Sequence, residues 1–95
     1  MIYLLVNAVV DTRDDSLPMA QALAVKDGRI VEVGGTDEIL WLREDDYEVL
    51  DLEGRTVVPL EGILAPGKRA NFHVLDGQRT LETWIDGVRR RMAQP

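Results

Sequence analysis

Ile2 to Val10 is almost continuously aliphatic and β-branched, broken only by Asn7, and gives way to the polar stretch Asp11-Thr12-Arg13-Asp14-Asp15-Ser16-Leu17-Pro18. That pattern predicts a buried strand followed by a loop. Ala22-Leu23-Ala24-Val25 and Ile30-Val31-Glu32-Val33 then flank Lys26-Asp27-Gly28-Arg29. Asp-Gly between two β-prone runs predicts a hairpin, because glycine takes positive φ without a Cβ clash. Gly34-Gly35 breaks the strand, and Thr36 ahead of Asp37 and Glu38 reads as the N-cap of a helix with acids in its first turn. Ile39 to Leu42 continue that helix to about Arg43, where Glu44-Asp45-Asp46 resumes a surface loop.

Tyr47 to Leu52 alternates, and the Glu53-Gly54 turn leads into Thr56-Val57-Val58, so a second hairpin is expected, closed by Pro59. Ile63 to Lys68 reads as a turn and Asn71 to Leu75 as a strand stopped by Asp76-Gly77. Thr80 to Ile85 and Val88 to Arg90 flank Asp86-Gly87, a third hairpin. About seven or eight short strands with one short helix make a mostly-β fold, a small sandwich or half-open barrel.

At 95 residues the chain is one small domain, too short for a deep, multi-walled active site. It has no cysteine, which excludes a disulfide framework and any Cys-based metal site. Eleven basic against 17 acidic residues give a net charge of −6, which disfavours nucleic acid and anionic membrane surfaces as partners. The run Met1 to Val10 lacks a basic leader, and no run approaches the roughly 18 apolar residues of a membrane span. The expectation is an untargeted cytoplasmic protein.

Candidate chemistry is sparse. Gly62-Ile63-Leu64-Ala65-Pro66-Gly67-Lys68 matches the opening of a phosphate-binding loop, but Arg69 stands where Ser or Thr would hold magnesium, and a strand follows instead of a helix. His73 is the lone histidine, so it cannot supply a multi-ligand metal site, and alternation sets it on the sheet face opposite Phe72 and Val74. Glu44-Asp45-Asp46 and Asp14-Asp15 lack the alternate spacing of a calcium loop and read as solvated acids. Arg89-Arg90-Arg91 reads as a short basic tail, solubilising or paired with the acidic surface, and Trp41 and Trp84 as core or rim residues. No catalytic, cofactor-binding or metal-ligating residue is expected, and no cofactor.

Two longer stretches carry a resemblance. Ala22 to Gly34 followed by Val49-Leu50-Asp51-Leu52-Glu53-Gly54-Arg55-Thr56-Val57-Val58-Pro59 resembles the N-terminal β-segment of the metal-dependent amidohydrolase superfamily. Leu64-Ala65-Pro66-Gly67-Lys68-Arg69-Ala70-Asn71-Phe72-His73-Val74-Leu75-Asp76 with Thr83-Trp84-Ile85-Asp86-Gly87 is similar to its C-terminal β-segment. Ala22 to Pro59 looks more like the exoenzyme-regulator-like branch, and Leu64 to Asn71 somewhat like sugar-phosphate deacetylases. In that superfamily the two segments form one composite domain, and a metal-binding (β/α)8 barrel is inserted between them.

The resemblance implies one composite β-domain over 1–95, with 1–59 as N-terminal segment, 60–61 as a seam in place of the barrel, and 62–95 as C-terminal segment. The family's Asp-x-His-x-His motif after Val-Val-Pro is missing, so no metal ligand carries over. Leu60-Glu61 is also a dipeptide left by a common cloning site, which favours an engineered deletion over a naturally truncated paralogue. The implied role is a structural accessory domain without hydrolytic activity, its parent a metal-dependent hydrolase of C–N bonds. The rival expectation is an interaction module, a homodimer or a partner for a separate barrel chain, through an apolar patch at Leu60, Ile63 and Leu64.

Overall fold

The computed structural model describes residues 2–42 and 46–91. Ten strands and one short helix are formed among them, in three layers. The first sheet has the order β5-β4-β1-β6, from β1 (Ile2–Val6), β4 (Ala22–Lys26), β5 (Arg29–Gly34) and β6 (Tyr47–Asp51). The second has the order β10-β9-β8-β7-β2-β3, from β2 (Val9–Asp11), β3 (Met19–Ala20), β7 (Thr56–Pro59), β8 (Phe72–Asp76), β9 (Arg79–Ile85) and β10 (Val88–Arg91). The mostly-β expectation holds, with more strands than the pattern predicts.

The central strands β1 and β4 are covered on both faces, which is why their sequences run apolar without alternation. Ile2, Leu4, Val6, Ala22 and Ala24 pack under Ile39 of α1 (Thr36–Leu40). Leu5, Leu23 and Val25 point the other way, into the main core with Val57, Phe72, Val74 and Trp84 of the second sheet. Trp84 stacks on Phe72 at 5.3 Å and meets Tyr3 edge-on at 5.3 Å, so one aromatic cluster joins the two sheets.

The run Ile2 to Val10 is two strands rather than one. Asn7 takes φ 55°, and beyond it the chain leaves the first sheet for the second. The expected hairpin across Glu53-Gly54 is likewise a sheet change: β6 pairs in parallel with β1, and β7 pairs in parallel with β2. The two crossings run side by side, tied by Leu52 N–H to Val6 O (2.9 Å), Gly54 N–H to Asn7 O (2.7 Å) and Val9 N–H to Arg55 O (2.9 Å). A third chain segment crosses there too, where Gln21 separates β3 from β4 and its carbonyl accepts from the Ala8 amide at 2.8 Å. Just beyond the expected loop, Met19–Ala20 forms β3, antiparallel to β2, for which the pattern gave no strand.

Two Asp-Gly hairpins stand as the pattern predicts, β4–β5 and β9–β10. The N-cap of α1 is Gly35, not Thr36: the Glu38 carboxylate accepts from the Gly35 amide, while the Thr36 hydroxyl accepts from Asn7 N–H at 2.9 Å. Thr36 is thereby committed to holding the helix onto the crossing rather than to capping it. The predicted helix end at Arg43, and Glu44 and Asp45 of the acidic run, lie outside the described residues.

Candidate functional site

Leu60 and Glu61 lie between β7 and β8 of one sheet. Pro59 pairs with Phe72, the Leu60 amide donates to Asn71 O at 3.2 Å, and Glu61 and Gly62 form an exposed turn. The chain then folds back under the first sheet, where Leu64 N–H donates to Thr12 O (2.8 Å) and Gly67 N–H to Ile30 O (2.8 Å). Leu64 is buried in the main core and Leu60 and Ile63 are half-buried, so these three residues do not form the expected exposed patch. An apolar side chain beside a seam is free to turn inward, and Leu64 joins the main core.

The segments before and after this seam meet again at the far ends of their hairpins. The Asp27-Gly28 and Asp86-Gly87 turns lie backbone to backbone, so that a Cβ on Gly28 would sit 2.8 Å from Asp86 O and one on Gly87 2.7 Å from Gly28 Cα. Ala70 links them, donating to Gly28 O at 2.9 Å and accepting from Gly87 N–H at 3.1 Å. Asn71 Oδ1 accepts from the Asp86 amide at 2.6 Å, and Arg69 pairs with the Asp86 carboxylate at 3.2 Å. The Asp-Gly signals identify each hairpin; nothing local in the sequence says that the two turns touch.

The outer face of the second sheet carries no layer among the described residues. Alternation turns Val10, Val57, Phe72, Val74 and Trp84 inward and leaves Val58, His73, Leu75, Thr83, Ile85 and Val88 outward. Val88 is 56% exposed and Met19, on β3, 53%. His73 sits in the middle of this face, its Nδ1 2.8 Å from Thr83 Oγ1 on the neighbouring strand. Among the described residues no group of three or more His, Asp or Glu side chains could hold a metal ion, so they do not fit the metal centre that the resemblance would bring.

Gly62 to Lys68 is an irregular loop leading to an isolated bridge between Arg69 and Arg29, without a helix to offer its amides to a phosphate. Asp14 closes a local turn, accepting from the Ser16 hydroxyl (2.7 Å) and amide (3.0 Å), which hold its carboxyl below the usual range. Arg89-Arg90-Arg91 is part of an edge strand rather than a tail. Arg89 donates through Nε to Glu82 at 2.7 Å, and Trp84 Nε1 donates to the other oxygen of that buried carboxylate at 3.2 Å. This pair lines a cleft of about 190 Å³ between the sheets, beside Leu50, Leu52, Val74 and Leu81. Trp84 is wholly buried, whereas Trp41 is 85% exposed, which corrects its expected place in the core or at its rim. No helix is long and apolar enough to cross a membrane among the described residues.

A comparison with models of protein families matches none. Among curated proteins, the chain is 39% identical over 82 residues to the exoenzymes regulatory protein AepA of Pectobacterium carotovorum, covering 79% of this chain and 18% of that protein. It is 45% identical over 56 residues to an N-substituted formamide deformylase of Arthrobacter pascens, covering 59% of this chain and 10% of the other. The chain thus spans less than a fifth of the length of these curated relatives.

Solved structures that share part of the fold include metal-dependent hydrolases and amidohydrolase-superfamily proteins. An uncharacterized metal-dependent hydrolase from Pyrococcus furiosus matches 62% of this chain with 13% of its own, at TM-score 0.56 and 23% identity. An enamidase described as a member of the amidohydrolase superfamily matches 62% of this chain with 16% of its own, at TM-score 0.50 and 27% identity. A Bacillus thuringiensis protein matches 64% of this chain at TM-score 0.53 and 33% identity, and there the match takes up 78% of the other chain. In that case the shared β-unit is most of a solved chain rather than a small part of one.

Proposed function

We propose that this chain is the composite β-domain of an amidohydrolase-like protein, with the catalytic barrel missing between Pro59 and Gly62, and that it acts as a structural accessory unit without hydrolytic activity of its own. One observation carries the reading. A single core takes Leu5, Leu23, Val25 and Ile30 from before the seam and Leu64, Phe72, Val74 and Trp84 from after it. A domain whose halves close on each other across an exposed turn tolerates either a long insert or a short link at that turn. Metal-assisted hydrolysis needs several converging ligands, and His73 is engaged by Thr83 alone among the described residues.

The purified chain, loaded with zinc or manganese, is expected to show no turnover on N-substituted formamides, other amides, lactones or N-acyl amino acids. Reproducible turnover that His73→Ala abolishes would overturn the reading.

A second reading rests on the uncovered outer face of the second sheet, with Met19, Ile85 and Val88 exposed on it. In this reading that face, rather than Leu60, Ile63 and Leu64, seats a barrel-bearing chain or a second copy. Light scattering over a tenfold concentration range is then expected to show self-association that Val88→Lys weakens. A strict monomer that also fails to retain an added barrel-bearing relative removes this reading.

A further inference from the structure

Three Asp-Gly dipeptides occur in the chain, at Asp27, Asp76 and Asp86, each in a hairpin turn. Chemically they are alike; structurally they are not. Asp27 and Asp86 belong to the paired turns, where Gly28 and Gly87 face backbone atoms of the opposite turn at under 3 Å from a built Cβ. The Gly87 amide is donated to Ala70 O, the Gly28 carbonyl is held by Ala70 N–H, and the Asp86 carboxylate is held by Arg69. Asp76 and Gly77 lie at the other end of the second sheet, both exposed, next to exposed Gln78 and Arg79. Among the described residues nothing lies within 4 Å of a Cβ built on Gly77, and no hydrogen bond holds its amide.

We propose that Asp76 is the site at which this chain spontaneously converts to isoaspartate, and that contact between the other two turns spares Asp27 and Asp86. The Gly77 amide nitrogen attacks Cγ of Asp76, forming an N–Cγ bond. The carboxyl hydroxyl leaves with the amide proton as one water, closing a five-membered succinimide. Water then adds back to one of the two ring carbonyls. Cleavage of the bond from nitrogen to Cγ restores aspartate, and cleavage of the bond from nitrogen to the backbone carbonyl carbon routes the chain through Cβ and Cγ as isoaspartate. The net change is an isomerisation, with no oxidant and no group gained or lost.

Ring closure requires the Asp-Gly peptide plane to rotate so that nitrogen faces Cγ. At Gly77 that rotation undoes only the closing Asp76–Arg79 pair of an exposed hairpin end, because glycine has no Cβ and no neighbour packs on it. At Gly28 and Gly87 it must first separate two turns, a local opening that slows the reaction in proportion to its rarity. Glu53-Gly54 is an internal comparison. Its glycine is equally open, but the longer acid would have to close a six-membered ring.

The test is prolonged incubation of the folded protein at neutral pH and body temperature. Proteolysis and electron-based fragmentation mass spectrometry then tell the two isomers apart at each site. Isoaspartate is expected at Asp76 about tenfold or more faster than at Asp27 or Asp86, the retardation that local opening imposes. In guanidinium the three rates should converge, and Asp76→Glu should remove the signal at that position while leaving the others. Equal rates at the three sites in the folded protein, or none at Asp76 where the denatured chain does react, would overturn the proposal.

Discussion

Trp84 and Trp41 are one residue type in opposite surroundings. Trp84, itself wholly buried, contributes a stacked contact, an edge contact and a hydrogen bond to Glu82. Trp84→Ala is therefore expected to cost about 3–5 kcal/mol in urea unfolding. Trp41→Ala is expected to stay within about 0.5 kcal/mol of the parent, as surface substitutions do. From the sequence both look like core or rim residues, and Ile39-Leu40-Trp41-Leu42 is an unbroken apolar run. A helix of five residues buries one narrow stripe, here Ile39 flanked by Leu40 and Leu42, and Trp41 falls on the other side. The Glu82–Arg89 pair tests a different residue-scale claim. Arg89→Ala leaves a nearly buried carboxylate with only the exposed Arg91, 3.8 Å away, as cation and is expected to cost several times what Arg90→Ala costs, the latter residue being exposed and in no ion pair among the described residues.

At the scale of elements, hairpin turns were readable and sheet membership was not. Asp27-Gly28 and Asp86-Gly87 announce themselves because the dipeptide satisfies a turn with two positive φ angles, here 52° and 80° and then 49° and 78°. Glu53-Gly54 has the same signature, φ 52° and 84°, yet joins strands of different sheets. The difference lies in partners far along the chain, Val6 and Asn7, which no window around residue 53 contains. The turns also differ in tolerance. Gly54→Ala should cost about 1 kcal/mol, through its positive φ alone. Gly28→Val and Gly87→Val should each cost more than the roughly 1–3 kcal/mol of backbone strain, since their side chains must also push the opposite turn away. Because the two positions touch, the double variant should be clearly less destabilised than the sum of the singles. Strict additivity in equilibrium unfolding would argue that the turns do not meet.

For the whole molecule, the seam at Leu60-Glu61 is the cheapest place to lengthen the chain. Inserting a few Gly-Ser residues between Glu61 and Gly62 is expected to leave the urea midpoint nearly unchanged, because doubling a flexible loop costs only about 0.6 kcal/mol. The same insertion between Asp27 and Gly28 should unfold a large fraction of the protein, because it forces apart the contact between the two hairpin ends. Neither segment has a core to itself: removing 62–95 would strip Leu64, Phe72, Val74 and Trp84 from the face of Leu5 and Leu23. Native-state hydrogen exchange under rising denaturant tests this mutual dependence most directly. The slowest amides of Leu23 and Val25 should converge with those of Phe72 and Val74 on one free energy and one denaturant slope. Two separate isotherms, with the amides before the seam still protected where those after it exchange freely, would contradict a domain built jointly from both segments.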